Sequence, residues 1–288
     1  MGCDWLLIDG SSLIFRSYYG ALRSARNAQR RDANAVGPFL ERLARLIVQS
    51  RPRHIAVADD AAWRPGWRVE SIPTYKSHRV AEPIPPALEP QVPIIQAILA
   101  AIGIDMVGVP EYEAEDVIAT WCRTAAGTIE ISSGDRDLFA LVEDPRVRVL
   151  YPEKAGLAVI DEAEVTRRYD IPGRRYADFA ILRGDPSDGL PGLRGVGAVT
   201  AAGMIRKHGD LAGVLRERQL SDADRAYLEN AMRVVPPVAD LPIDLPRGRR
   251  DSYPDDEASL RALAAQFRVG DACARLLDAV APIRASKE

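Results

Sequence analysis

The chain opens with Trp5-Leu6-Leu7-Ile8-Asp9-Gly10-Ser11, a short apolar run that stops at an acid and a glycine. A continuous apolar run of this length predicts a buried strand, and the residues after it predict a helix around Ser11–Gly20. Ala35–Gln49 has the apolar spacing of a second helix, and His54–Ala58 is another apolar run, which stops at Asp59. The order strand, helix, strand predicts an α/β fold in which helices flank a mostly parallel central sheet.

Two stretches interrupt this alternation. Leu22–Asn34 is polar and rich in arginine, which predicts a loop. Trp63–Pro93 is rich in proline, which prevents a continuous helix, and so long an irregular segment inside a compact domain indicates a functional or disordered loop. Beyond it, further strands are predicted at Ile104–Val109, Thr128–Ser132 and Val147–Tyr151.

Acidic residues recur where the predicted strands stop and where one helix begins. They are Asp9, Asp59, Asp135, Asp137, Asp185 and Asp188, with Glu113, Glu115 and Asp116 at the start of the helix. Ligands of an open parallel sheet collect outside the carboxyl ends of its strands, so these acids are expected to converge there. Two like charges ~4 Å apart repel by about 4 kcal/mol at an effective dielectric constant near 20, so such a pocket needs cations.

This acidic set predicts a divalent-metal site for phosphodiester chemistry. The chain has only three histidines and no C-x-x-C spacing, so oxygen ligands, and hence magnesium or manganese, are favoured over zinc. Any one acid alone is equally well explained as a turn former or a helix cap. For Asp60 and Glu111 we prefer that interpretation, because their neighbours already supply the predicted ligands.

Composition limits the class of protein. A 47% hydrophobic and 27% charged content is that of a soluble globular protein, and the net charge of −3 leaves any nucleic-acid binding to local basic patches. Three cysteines far apart support no disulfide framework, and the N-terminus lacks a signal pattern, so we expect a cytoplasmic protein. No apolar run reaches ~18 residues, so no membrane partner is expected.

A second motif lies between two predicted helices, Tyr176–Leu182 and Ala198–Lys207. It contains Leu193-Arg194-Gly195-Val196-Gly197, which is typical of a helix-hairpin-helix unit. Its glycines allow the backbone to approach a phosphate, and the N-terminus of the next helix offers free amides. Alone this motif is more simply an ordinary helix connection; next to Asp185 and Asp188, we favour a unit that grips duplex DNA without reading its sequence.

Four motifs carry a resemblance to a known family. They are Leu7-Ile8-Asp9-Gly10-Ser11 with Phe15-Arg16, Tyr112-Glu113-Ala114-Glu115-Asp116-Val117-Ile118-Ala119-Thr120, Gly134-Asp135-Arg136-Asp137-Leu138, and Gly184-Asp185-Pro186-Ser187-Asp188-Gly189-Leu190-Pro191-Gly192. From about Trp5 to its C-terminal helices, the chain resembles the bacterial 5′-to-3′ exonuclease and flap endonuclease family, which includes the N-terminal nuclease domain of DNA polymerase I. Because no polymerase region follows, it resembles a stand-alone member.

The resemblance implies roles for the individual residues. Two or more divalent cations, Mg²⁺ or Mn²⁺, would be held by Asp9, Asp59, Glu113, Glu115, Asp116, Asp135, Asp137, Asp185 and Asp188. The family usually has Asp where this chain has Glu115, so the number and spacing of the ions are in doubt. Lys76, Arg79 and Arg16 would contact the reacting phosphate, and Tyr75 would stack on an unpaired base. Arg194, Gly195, Val196 and Gly197 would bind duplex DNA, and the backbone of this hairpin can hold K⁺ in the family.

The resemblance also implies the domains and the reaction. Residues 1–172 would form an α/β nuclease core with an arch at about 70–95, residues 173–232 a helix-hairpin-helix subdomain, and residues 233–288 a segment packing back on the core. We expect a monomer that hydrolyses branched or nicked duplex DNA with a 5′ single strand, and RNA–DNA primer junctions, in replication and repair. The alternatives are a branched-DNA-binding module with weak or no activity, and a PIN-type ribonuclease.

Overall fold

The structure of the protein is a computed structural model that describes residues 2–27, 34–81 and 83–283 of the 288. Its strands are β1 (Trp5–Asp9), β2 (His54–Ala58), β3 (Asp105–Val107), β4 (Ile129–Ser132), β5 (Val147–Glu153) and β6 (Gly156–Ile160). They form one sheet in the order β3-β2-β1-β4-β5-β6, in which only the β5–β6 pair is antiparallel. The predicted α/β fold with a mostly parallel sheet is confirmed.

Helices cover both faces of the sheet and make up the C-terminal part of the chain. The α-helices are α1 (Gly10–Asn27), α2 (Val36–Ser50), α3 (Gly66–Ser71), α4 (His78–Ala81), α5 (Val92–Ile102), α6 (Ala114–Thr124), α7 (Glu162–Tyr169), α8 (Tyr176–Arg183), α9 (Ala198–His208), α10 (Leu211–Glu217), α11 (Asp222–Val234), α12 (Glu257–Phe267) and α13 (Gly270–Val280). Short 3-10 helices lie at Glu89–Gln91, Asp137–Leu141 and Gly173–Arg175. Among the described residues, no helix is both long and apolar enough to cross a membrane.

Strand β1 lies at the centre of the sheet, and all five of its residues are buried. Because side chains alternate along a strand, Leu6 and Ile8 join the apolar core that includes α1, α2, α5 and α13. Trp5 and Leu7 join the core on the other face, which includes α6 and α8. A strand buried on both faces explains why the opening apolar run is continuous rather than alternating.

The strand order reverses at β1. The chain moves outward from β1 to β2 and β3, and then returns to the other side of β1 to form β4. A crevice therefore opens at the carboxyl ends of β1 and β4, which is where open α/β sheets bind ligands.

Three local expectations need correction. Helix α1 continues to Asn27, so the first part of the loop predicted at Leu22–Asn34 is helical, while residues 28–33 lie outside the described part. Strand β6 was not predicted, and it forms a hairpin with β5. The proline-rich stretch Trp63–Pro93 contains α3, α4 and a 3-10 turn connected by irregular backbone, with Glu82 outside the described residues.

Candidate metal centre at the carboxyl edge of the sheet

A cavity of about 470 Å³ opens at the crevice between the ends of β1 and β4. The acids that line it are Asp9, Asp60, Glu113, Glu115, Asp135, Asp137, Asp185 and Asp188. We call this cavity the acidic pocket. The predicted convergence is therefore observed for acids that lie up to 179 residues apart in sequence, from Asp9 to Asp188. Asp185 and Asp188, however, follow helix α8 and not a strand.

The tightest group in the pocket consists of Glu115, Asp135 and Asp137. One carboxylate oxygen from each lies within 4.8 Å of the other two. Glu115 stands in the first turn of α6, and the two aspartates follow β4 in a turn where the Asp137 amide donates to Asp135 Oδ1 at 3.0 Å. The glutamate at position 115, where the family has aspartate, still reaches this group.

The pocket disfavours ionised carboxylates. Burial, and then the neighbouring Asp60, raise the pKa of Asp9 to about 7. Burial raises the pKa of Glu115 to about 8, against the opposing effect of Lys76 and Arg68. Burial, and then Asp135, raise the pKa of Asp137 well above its ordinary value. At Asp9, Glu115 and Asp137, burial therefore favours the protonated form unless cations compensate the charge.

Asp9 is fixed by short polar contacts. Ser133 Oγ donates to Asp9 Oδ2 at 2.5 Å, and the Ser12 amide donates to Asp9 Oδ1 at 2.9 Å. Ser133 also accepts from the Asp135 amide at 2.8 Å, so one hydroxyl connects the ends of β1 and β4. This connection sets the separation of Asp9 from the group that contains Asp135.

Arg68 is the main residue that the sequence analysis missed. Its side chain is 0% exposed, and it donates to Glu113, to Glu115 Oε1 at 2.6 Å and to Asp116 Oδ1 at 2.6 Å. It also donates to Tyr75 Oη at 3.0 Å. A buried charge is tolerated only when it is paired, and here one guanidinium pairs with three carboxylates.

Lys76 and Arg79 line the pocket and both contact Glu113. Lys76 Nζ lies 2.7 Å from Glu113 Oε1 and 3.9 Å from Asp188 Oδ1. Arg79 Nη1 lies 3.0 Å from Glu113 Oε1, and its guanidinium covers the ring of Trp63 at 4.3 Å from the centroid. Burial alone would raise the pKa of Glu113, but Lys76, Arg68 and Arg79 lower it to about 2.

Two predicted ligands do not line the pocket. The Asp59 amide still donates to Val107 O in the sheet ladder, and Asp59 Oδ2 accepts from Gln96 Nε2. Since side chains alternate along extended backbone, Asp60 lines the pocket where Asp59 was expected, and the role of Asp59 as a ligand stays a prediction. Asp116 is fully buried and accepts from Arg68 and from the Val238 amide, so it positions other groups.

Two predicted substrate contacts also lie elsewhere. Tyr75 is 2% exposed and donates from Oη to Glu113 Oε2 at 2.7 Å, so its ring is not free to stack on a base. Arg16 is not among the residues that line the acidic pocket. Arg16 lies on α1 near Arg42 and Arg23. Burial lowers the pKa of Arg16, and the charges of Arg42 and Arg23 lower it further.

The predicted hairpin loop connects α8 to α9 and exposes backbone. Arg194, Gly195 and Gly197 are exposed, and Gly195 has a φ of 76°. A Cβ added at either glycine would meet nothing within 4 Å, so the backbone there is open to a ligand. Val196 is 7% exposed and packs in the core, so it anchors the loop between the exposed glycines.

Comparisons with known proteins agree with this geometry. Two family models match: "5'-3' exonuclease, N-terminal resolvase-like domain" over residues 4–170 and "5'-3' exonuclease, C-terminal SAM fold" over residues 171–240. A 5′-3′ exonuclease of Streptomyces coelicolor is 44% identical, over 94% of this chain and 98% of the relative. DNA polymerase I of Mycobacterium bovis is 37% identical, over 79% of this chain and 26% of the relative.

A solved structure shares the fold. The D15 flap endonuclease of bacteriophage T5, in a complex with DNA and metal ions, superposes with a TM-score of 0.67 at 15% identity. The match covers 96% of this chain and 98% of that chain.

Proposed function

The chain belongs to the 5′-3′ exonuclease family, and from this premise we propose that it is a structure-specific 5′ nuclease. It hydrolyses phosphodiester bonds at 5′ flaps and 5′ ends of duplex DNA, and at RNA primers, in replication and repair. The observation that carries this proposal is the group of Glu115, Asp135 and Asp137 oxygens within 4.8 Å of one another, in a pocket that Lys76 and Arg79 also line.

The residues of the pocket fit two or more Mg²⁺ or Mn²⁺ ions. They offer only hard oxygen ligands, and burial raises the pKa of Asp9, Glu115, Asp135 and Asp137. Glu115, Asp135 and Asp137 would hold one ion, and Asp9, Asp185 and Asp188 would contribute to the others. When bound, such ions lower the pKa of a water molecule and stabilise the oxygen that leaves phosphorus.

Lys76 and Arg79 would receive the scissile phosphate. Both now pair with Glu113, which accepts from Arg68 and Tyr75 as well. Because Glu113 keeps two other donors, either cation can turn to a phosphate without leaving Glu113 unpaired. A phosphate held between these cations and the acids is positioned for attack in line with the leaving oxygen.

The remaining predictions about substrate binding also follow from membership of the 5′-3′ exonuclease family. Arg194, Gly195 and Gly197 would grip the duplex backbone, with K⁺ held by hairpin carbonyls, and the segment at about 70–95 would guide the 5′ strand. The relation of the hairpin to DNA is supported by its open backbone and by the exposed Arg194. We propose that the enzyme acts as a cytoplasmic monomer with the three-part division at residues 172 and 232.

The decisive experiment is cleavage of a labelled 5′-flap duplex with magnesium, with manganese and with chelator. We expect product with either metal and none with chelator. Asp137→Asn should abolish cleavage and leave flap binding in chelator largely intact, whereas Asp278→Asn, which removes an exposed acid on α13, should cut at the wild-type rate. Flap binding without cleavage in either metal would indicate a DNA-binding module instead, and cleavage of single-stranded RNA alone would indicate a PIN-type ribonuclease.

A further inference from the structure

Three arginines gather around one glycine on the surface formed by α1 and α2. Arg16, Gly20 and Arg23 lie on α1 at spacings of four and three residues, which places them on one helical face. The guanidinium of Arg42, from α2, rests against Gly20: a Cβ added there would lie 2.9 Å from Arg42 Nη2. We call Arg16, Arg23 and Arg42 the arginine cluster.

No acid neutralises the arginine cluster within the described part of the chain. None of its three members forms a hydrogen bond or an ion pair there, and the buried Nε of Arg42 has no acceptor. Arg45, one turn further along α2, does have a partner, because its Nη1 lies 3.8 Å from Glu41 Oε2. Burial, followed by Arg45 and Arg23, lowers the pKa of Arg42, which agrees with cations held close together.

Among the described residues, no anion compensates this arrangement. Buried N–H donors nearly always have an acceptor, and like charges are not held together without compensation. Arginine stays charged at any physiological pH, so the cluster cannot relieve its repulsion by losing protons. The planar guanidinium fork matches the oxygens of phosphate, and arginine is the usual residue for binding nucleic-acid backbones.

The distance of the arginine cluster from the acidic pocket indicates which anion it binds. Helix α1 begins at Gly10, directly after Asp9 of the acidic pocket, and at 1.5 Å per residue Gly20 lies about 15 Å further along the helix. At about 3.4 Å of axial rise per nucleotide, this distance corresponds to roughly four nucleotides. We propose that the arginine cluster binds a backbone phosphate of the nucleic-acid substrate, several nucleotides away from the bond that is cut; this inference rests on the proposed function.

Truncation of single arginines gives the first test. Binding of a 5′-flap duplex in chelator is measured for Arg42→Ala, Arg23→Ala and the matched control Arg45→Ala, which removes the same charge from α2. We expect about tenfold weaker binding and a salt slope lower by about one for the first two variants, and less than a twofold change for the control. Equal binding by Arg42→Ala and Arg45→Ala would overturn the phosphate site.

Substitutions at Gly20 give a test that does not depend on losing an arginine. Gly20→Glu places a carboxylate among the three guanidiniums, and Gly20→Gln is its neutral match. We expect Gly20→Glu to raise the melting temperature relative to Gly20→Gln and to weaken flap binding. A higher melting temperature with unchanged binding would show that the cluster is not a nucleic-acid site.

Substrates in which one phosphate is replaced by a neutral analogue can locate the contact and exclude a long-range effect of charge. Flap substrates carrying a single methylphosphonate at successive positions are compared for the wild type and Arg42→Ala. We expect one position, about four nucleotides from the cut, that weakens wild-type binding and leaves Arg42→Ala binding unchanged. The same loss in both proteins at every position would overturn the direct contact.

The two proposals fail in different ways. If the wild type cuts the flap but the Arg42 and Gly20 variants bind normally, only the phosphate site is wrong. If the wild type cuts no phosphodiester substrate, the proposed nuclease function is wrong, and the binding comparison still decides the role of the arginines.

Discussion

At the scale of single residues, Arg68 holds the acids of the pocket in place. Its one side chain contacts Glu113, Glu115 and Asp116, and none of these contacts could be predicted from sequence. Arg68 follows Trp67 in a proline-rich segment with no periodic pattern, so nothing in its sequence context marks it as buried. The acids were predictable because they lie together at the start of a periodic helix, α6, whereas Arg68 lies in α3, a short helix within a proline-rich stretch.

Arg68→Met should destabilise the fold and impair catalysis. Removing one partner of a buried ion pair costs about 3–5 kcal/mol, because the carboxylates left behind are uncompensated. Unfolding by urea measures this loss. Arg68→Lys keeps the charge but not the planar guanidinium fork. We expect it to be more stable than Arg68→Met and to need more metal than the wild type for half-maximal cleavage. A wild-type metal requirement in Arg68→Lys would contradict a positioning role.

Lys76→Ala should slow the chemical step more than it weakens substrate binding. The side chain is 2% exposed and lies between Glu113 and Asp188, so it is placed to meet a phosphate at the metal site and makes little contact with distant parts of the DNA. The single-turnover cleavage rate measures the chemical step, and flap binding in the presence of chelator measures substrate binding. Lys154→Ala, which removes an exposed lysine from the β5–β6 hairpin, is the control. A wild-type single-turnover rate in Lys76→Ala would exclude the role.

At the scale of secondary structure elements, the loop after α8 packs closely against the segment that carries Lys76. The Lys76 amide donates to Asp188 O at 2.9 Å. Gly189 has a φ of 69°, and a Cβ there would lie 1.8 Å from Thr74 O. The two segments therefore meet backbone to backbone, and this contact brings Asp188 to the acidic pocket.

Gly189→Ala should separate these two segments. The left-handed conformation alone costs a residue with a side chain about 1–2 kcal/mol, and the overlap with Thr74 adds to this cost. We expect a lower melting temperature and slower cleavage. Gly203→Ala, in the middle of α9 with no atom closer than 3.9 Å, should be neutral or stabilising. Equal melting temperatures for the two variants would contradict the close fit.

Sequence patterns predicted the elements better than their ends. Continuous apolar runs located β1 and β2, which are buried on both faces, and helical periodicity located α2, which is buried on one face. The sequence could not decide which of Asp59 and Asp60 lines the pocket, because this depends on whether the ladder of β2 extends by one residue. Strand β6 was missed because its burial is mixed and its pairing with β5 is set by a tight turn.

At the scale of the whole molecule, metal ions and protons compete for the acidic pocket. The pKa values of about 7 for Asp9 and about 8 for Glu115 lie above the ordinary values of 3.8 and 4.5. A group whose pKa is raised on folding stabilises the fold fully below its unfolded pKa and loses that contribution as pH rises through the folded pKa. Between about pH 4 and pH 8, these acids therefore make the metal-free fold less stable as pH rises. Glu113, with its pKa lowered to about 2, contributes in the opposite sense, but only below about pH 4.5.

Manganese should raise the melting temperature more at pH 8 than at pH 5.5. Ions bind the ionised carboxylates that the metal-free fold disfavours, and at the lower pH they must first displace protons. Differential scanning calorimetry with and without metal at both pH values measures the difference. Asp137→Asn should reduce the increment at pH 8. An increment independent of pH would contradict the raised pKa values.

The acidic pocket draws its walls from residues as far apart as Asp9 and Asp188. Protein synthesis proceeds from the N-terminus, so a nascent chain has no complete set of acids until Asp188 has left the ribosome and folded against Thr74 and Lys76. Translation thus delays completion of the site: we expect a chain that stops before this loop to lack the full set of pocket acids and to be inactive.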